Sequence, residues 1–158
     1  MSLTQGNLRL ANSRVWNLID IKTCGRPLGR VASSIAVKLM GKHKPVYDPA
    51  SDPGDYVVAI NCADIAVTGR KLDQKIYRHH TMRPGRLQEI SMRNLMAKKG
   101  GGEILRKAVT GMLPKNKLRD RMMERLKVFE GEGHPYKKNI ARYLEVSEDG
   151  SSNRPTVG

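Results

Sequence analysis

The run VWNLIDIKTCGRPLGRVASSIAVKLMG, Val15–Gly41, followed after a proline-rich loop by YVVAIN, Tyr56–Asn61, decides the fold. Val15–Ile21 is short, apolar and β-leaning, and predicts a strand. Thr23–Pro27 breaks it. From Leu28 the apolar period changes: Val31, Ala32, Ile35, Ala36 and Leu39 recur at helical spacing. Gly41 stands just beyond as the C-terminal stop. Tyr56–Asn61 is the dense apolar run of a buried strand. Strand, helix and buried strand in that order make a βαβ unit, whose strands pair in parallel. The expectation is an α/β domain with a small, mostly parallel sheet and helices added on the C-terminal side.

The remaining elements follow outward from this unit. Ile65–Thr68 predicts a further short strand closed by Gly69. Gln74–Arg78 predicts another, more polar and so nearer an edge. After the Arg83–Leu87 turn the pattern is helical. Ser91 is placed to cap a helix carrying Leu95 and Met96, and Gly100–Gly102 ends it. Glu103–Met112 is a second amphipathic helix, with Ile104, Leu105, Ala108, Val109 and Met112 on one side. Pro114 is suited to open a third, over residues 115–127. Residues 1–13 predict a flexible basic arm, 14–144 a single domain, and 145–158 a polar tail.

With 158 residues, one domain can bury roughly 70% of its unfolded surface without staples. The charge is lopsided, with 29 Lys and Arg against 15 Asp and Glu, a net +14. The segment Arg70–Lys127 holds 17 of those bases and 5 of the acids. Solubility needs a net charge of only about 2–8 for a small domain. An excess this large repels itself unless an anion neutralises it, and nucleic acid is the commonest structured polyanion.

Little else in the chain points to chemistry. Cys24 and Cys62 form no CxxC or CxxH spacing, which argues against a zinc knuckle and for two free, partly buried thiols in a reducing compartment. No apolar run approaches 18 residues, so no membrane span is expected. The first βα turn, TCGRPLGRVASS, has Gly25 and Gly29 before a helix N-terminus, where amides favour anions. It lacks both GxGxxG and GxxxxGK[ST], and Arg30 would have to replace the Walker lysine. A helix start that needs glycine for chain reversal, a grip on an RNA phosphate, or a nucleotide-dependent RNA-processing enzyme using Gly25–Arg30 are the readings open to it. His79 and His80 are strand neighbours and point to opposite faces, so they are ill-placed for one metal. They read as polar contacts beside a basic surface, a nuclease pair being the alternative. Asp48, Asp52 and Asp55 lack the glycine and glutamate of a calcium loop and read as turn terminators paired with nearby Lys.

Three basic clusters remain: GKHKP (Gly41–Pro45), RHHTMRPGR (Arg78–Arg86), and the segment with Lys115, Lys117, Arg119, Arg121 and Arg125. Loops and helix ends let Lys and Arg reach phosphates without disturbing a core. Aromatics amount to 4% of the chain, too few for the stacking platforms of single-strand readers. No helix-turn-helix or finger signature is present. Backbone and shape recognition of a large folded RNA is what these absences leave.

The motifs LGR, GKHKP, GDYVV, VTGRK, RPG, GMLPK and LKVFEG, in this order and spacing between Val15 and Tyr136, resemble the universal large-subunit ribosomal protein L13 family. The resemblance implies a three-layer α/β/α domain around a four-stranded, mostly parallel sheet. It also implies binding to large-subunit rRNA, a role in early subunit assembly, neighbouring large-subunit proteins as partners, and no enzymatic activity, cofactor, metal or small-molecule substrate. Family basic positions map to Lys42, Lys44, Arg70, Lys71, Lys75, Arg78, Arg83, Lys115 and Lys117. With the adjacent Arg30, His43, His79, His80, Arg86, Arg119 and Arg121, these are the expected RNA contacts. Bacterial members usually have Gly where this chain has Asn116–Asp120, and a more neutral turn where it has Arg83 and Arg86. The forms here are similar to fungal mitochondrial members. The first 19 residues contain no acid, compatible with a short mitochondrial presequence or a basic arm. The expected location is the mitochondrial matrix, in the mitoribosome, with a bacterial cytoplasm as the alternative.

Overall fold

The computed structural model describes residues 13–144. The expected arm, apart from Ser13, and the expected tail lie outside the described residues. Strand β1 (Trp16–Asp20) pairs in parallel with β2 (Tyr56–Ile60), from Trp16 opposite Tyr56 to Asp20 opposite Ile60. Between them runs helix α2 (Leu28–Met40), as its apolar spacing predicts. It buries Leu28, Val31, Ala32, Ile35, Ala36 and Leu39. Gly41, at φ 81°, ends it by donating its amide to the carbonyls of Val37 and Lys38.

Ile21 does not extend β1. The Asp20 carboxylate accepts the Lys22 amide at 3.0 Å and the Thr23 hydroxyl at 2.5 Å. The chain therefore winds into a one-turn helix, α1 (Ile21–Cys24), which Gly25 closes at φ 58°.

Two short strands complete the sheet: β5 (Leu126–Val128) beside β2 and β6 (Arg142–Tyr143) beside β1, all parallel, in the order β5-β2-β1-β6. Ile65–Thr68, predicted as a strand, is not one. Both neighbours of β2 are already taken, and this stretch instead passes the start of α2, where Ala66 O accepts the Leu28 amide at 3.0 Å. The strand predicted at Gln74–Arg78 lies two residues later. A one-turn helix α3 (Lys71–Gln74) precedes it, and β3 (Ile76–His80) pairs antiparallel with β4 (Leu87–Ser91) in a separate hairpin.

Helix α4 (Met92–Met112) starts at Ser91, whose hydroxyl accepts the Asn94 amide. It breaks at Gly100 (φ 80°, ψ 175°), where the sequence predicts an end. A second start follows at once. The Glu130 carboxylate accepts the amides of Gly101 (3.2 Å) and Gly102 (2.8 Å), doing at long range what a capping residue does locally. Gly101 is required there, since a Cβ would sit 1.9 Å from Cys62 O.

The predicted helix over 115–127 is shorter, α5 (Arg119–Glu124). Asn116 holds back its onset: its side chain accepts the Leu118 amide and its carbonyl the Arg119 amide. On one face of the sheet Ile19, Val57, Ala59 and Leu126 share a core with α2, α4 and α5. On the other, Leu18, Val58 and Ile60 are covered by Trp16, Phe129, Tyr136 and Ile140, the last two flanking a 3-10 turn at Lys137–Asn139.

Candidate nucleic-acid interface

The three basic clusters of the sequence meet different fates in the fold. The GKHKP cluster turns largely inward. His43 Nε2 lies 2.8 Å from Asp55 Oδ2, and Lys44 Nζ lies 2.6 Å from Asp55 Oδ1. Lys44 Nζ also donates to Pro53 O and Ser13 O. The Lys44 and Asp55 side chains are 9% and 3% exposed, so this lysine is not a surface cation. Asp55 further accepts the Val15 amide, which anchors the start of β1. Burial pushes the Asp55 carboxyl up, but hydrogen bonds from His43, Lys44 and the Val15 amide outweigh it and hold the pKa at about 2. Of its three basic side chains only Lys42 stays exposed. The motif's lysine and histidine therefore pin the long loop to the domain. The expected contacts at His43 and Lys44 are corrected accordingly: both are internal partners of a buried carboxylate.

Of the loop's aspartates, Asp55 pairs with a lysine as expected, whereas Asp52 departs from the expectation by pairing with arginines. Asp52 takes Arg125 and Arg14, and Asp48 caps a turn by accepting the Ala50 amide. Among the described residues, no group of three or more His, Cys, Asp or Glu is placed to hold a metal ion.

The second cluster is displayed. The β3–β4 hairpin is rooted on α3 and α4 and carries Arg78, His79 and His80 on β3, with Arg83 and Arg86 in its connecting turn, all exposed. Strand alternation sends His79 and His80 to opposite faces. Arg78 pairs with Glu89 across the strands at 2.5 Å and remains 64% exposed. At the root, Tyr77 lies under two ammonium groups, Lys75 at 5.4 Å and Lys107 at 5.9 Å from its ring centre. Burial raises its hydroxyl pKa.

The third cluster divides. Lys115 and Lys117 are exposed in the loop after α4, Arg121 is exposed on α5, and Arg119 is half-buried. Arg125 is only 3% exposed and faces inward. The hairpin leads into α4 and the Lys115–Lys117 loop leaves it; because the helix breaks at Gly100, its first and last residues, Met92 and Met112, come back to line one cleft. Lys98 and Lys99, exposed on α4 just before its break at Gly100, add two further cations. The KKGGG string was the signal for these two, since a basic pair at a helix break is free to face outward.

The first βα turn has the geometry of a chain reversal. Pro27 stands at the α2 N-cap without a side-chain cap bond, and the Leu28 amide is consumed by Ala66 O. Beside it is a cleft of about 520 Å³, lined by Leu28, Val67, Met92, Ala108 and Met112, with Lys71 and Lys75 at its edge. Lys71 Nζ donates to Thr68 Oγ1 at 3.1 Å. Arg30 and Arg70 are exposed near this turn and α3. Cys62 is fully buried, and burial together with nearby Glu130 pushes its thiol up to about 12, which makes it a poor nucleophile. Both cysteines are free thiols.

Residues 14–135 match the family model described as Ribosomal protein L13. The chain belongs to the ribosomal protein L13 family. It is 53% identical over 158 residues to the large ribosomal subunit protein uL13m of Neurospora crassa, covering 90% of this chain and 86% of that protein. It is 50% identical to the uL13m of Schizosaccharomyces pombe, covering 90% and 89%. Similarity extends to bacteria, with 53% identity over 123 residues to the large ribosomal subunit protein uL13 of Clostridioides difficile, covering 78% and 84%. In this L13 chain, GKHKP and GDYVV are joined through His43, Lys44 and the buried Asp55, whereas the cations of RPG and GMLPK reach the surface.

Proposed function

We infer that the protein is a structural constituent of the mitochondrial large ribosomal subunit, where it binds large-subunit rRNA and touches neighbouring large-subunit proteins. The observation that carries this reading is the match across 90% of the chain to proteins named uL13m in two fungi. The mechanism is charge neutralisation. Exposed Lys and Arg displace counterions from rRNA backbone, and the α/β core fixes where those charges sit. The RNA-facing set is Arg30, Lys42, Arg70, Lys71, Lys75, Arg78, His79, His80, Arg83, Arg86, Lys115, Lys117, Arg119 and Arg121, extended by Lys98 and Lys99. Because the hairpin and the Lys115–Lys117 loop are both joined to α4, one rigid body can hold the backbone segments they grip in a fixed relation. Such clamping supports subunit assembly and, through it, translation. No catalytic group or cofactor enters this mechanism.

Sucrose-gradient fractionation of mitochondria is the direct test, with comigration with the large subunit as the expected result. A protein found only at the top of the gradient overturns the assignment. The quadruple change of Lys115, Lys117, Arg119 and Arg121 to Ala is expected to weaken rRNA binding with the fold retained. Unchanged affinity with a lost fold would show instead that this cluster is internal.

A further inference from the structure

The end of the β3–β4 hairpin holds an unusual residue. Met82 is 90% exposed, more than any other large apolar side chain described. Its backbone is left-handed, with φ 61°, a region that residues carrying a Cβ seldom occupy. Two hydrogen bonds frame it. The Met82 amide donates to His80 Nδ1 at 3.1 Å. The Arg86 amide donates to Arg83 O at 3.2 Å, closing a turn with Pro84 second and Gly85, at φ 73°, third. The hairpin therefore spends backbone strain and local order to project one flexible apolar side chain into open space. Strain of this kind clusters at functional sites.

Its surroundings indicate what receives it. Arg83 and Arg86 follow Met82 directly, and Arg78, His79 and His80 precede it. The hairpin's single acid, Glu89, is spent on Arg78. Leu87, 55% exposed, pairs with His80 beside the tip. A protein pocket suited to a methionine has no need of this collar of cations, whereas an RNA backbone does. Apolar side chains flanked by Arg are how proteins wedge between base steps or fill the gap at an unstacked base.

Resting on the rRNA-binding reading above, we propose that Met82 is an RNA wedge: it inserts at an unstacked or bulged step of the rRNA while Arg83 and Arg86 hold the phosphates on either side. Nucleotides with splayed bases, rather than continuous duplex, are the hairpin's target. Met suits this role because its unbranched thioether adapts to an irregular gap.

The test uses the full chain and an in vitro transcript of the large-subunit rRNA from the same organism. Met82→Gly removes the wedge and relieves the left-handed strain, so the hairpin is retained. Met82→Leu keeps the volume. Wild type is expected to bind with steep salt dependence, Met82→Gly about ten-fold more weakly with the same salt slope, and Met82→Leu within about two-fold of wild type; ten-fold corresponds to about 1.4 kcal/mol. A diazirine amino acid at position 82, photolysed in purified large subunits, is expected to crosslink to one or two nucleotides. Met82→Gly binding as tightly as wild type, an adduct with a ribosomal protein, or no adduct at all would each overturn the wedge while leaving rRNA binding intact. Failure of wild type to bind the transcript would instead bring down the underlying reading.

Discussion

Arg125 grips Asp52 through two parallel bonds, Nη1 to Oδ2 and Nη2 to Oδ1, each 2.5 Å, and its Nη2 also donates to Leu39 O at the end of α2. One residue of the most basic stretch is thus a clamp between α5, the Asp48–Asp55 loop and α2. Gly54 makes the approach possible. A Cβ there would stand 1.8 Å from Leu39 O and 2.7 Å from Arg125 Nη2. The expectation is that Arg125→Ala destabilises the domain by about 3 kcal/mol, the order seen when one partner of a buried pair is removed. Asp52→Asn should cost less, because Asp52 is 16% exposed and keeps its contact with Arg14. Urea unfolding of the two single variants and the double variant checks this; a coupling near zero would contradict the clamp.

Asp55 makes stability depend on acid. Its pKa is lowered from 3.8 to about 2, the penalty of burial being outweighed by hydrogen bonds from His43, Lys44 and the Val15 amide. A carboxylate depressed in the folded state stabilises above its unfolded pKa, and that contribution is lost as pH falls through the folded value. The window runs from about pH 4 down to about pH 2, and the contribution is on the order of 2 kcal/mol. Asp55→Asn should remove this part of the acid dependence and lower stability at neutral pH by stranding Lys44. Unfolding midpoints measured from pH 7 to pH 2 read both effects.

These two networks show where the sequence was legible and where it was not. The βαβ unit could be read because its signal is local: the apolar period of Leu28–Leu39 and the unbroken Tyr56–Ile60 run each describe one element. The helix break at Gly100 and the Ser91 cap were legible for the same reason. Ile65–Thr68 looks like a strand by composition, but strandhood needs a free neighbour, and β2 has none left. β5 and β6 are two or three residues long and owe their existence to the edges they join, so no period announces them. The interface failed at a similar point. Lys44 and Lys42 are equal as letters, and only Asp55, eleven residues after Lys44, decides which of them turns inward.

Glu130 is a similar long-range decision, since it starts the second half of α4 from 28 and 29 residues away. Removing its charge should be felt at that helix start. Glu130→Ala is expected to cost about 1–2 kcal/mol, the range of a lost N-terminal cap with its favourable dipole interaction. Glu130→Gln should cost less, because the amide oxygen still accepts one bond. Hydrogen exchange at the Gly101 and Gly102 amides localises the effect; unchanged protection in Glu130→Ala would show that the cap is not made in solution.

The sharpest separation of internal from surface charge comes from salt. Each phosphate contact that releases a counterion contributes about 0.7–0.9 to the slope of log affinity against log salt. Arg83→Gln with Arg86→Gln removes two exposed cations, and the slope should fall by about 1.4–1.8 with the unfolding midpoint unchanged. Lys44→Gln removes the same kind of charge from the sequence, yet this lysine is 9% exposed and bound to Asp55. Its slope should match wild type while its stability drops by about 3 kcal/mol, as for a broken buried pair. Filter binding to the rRNA transcript across a salt series, set beside urea unfolding of the same samples, measures both quantities. A reduced slope in Lys44→Gln with intact stability would mean that the loop opens on RNA and gives this lysine to phosphate.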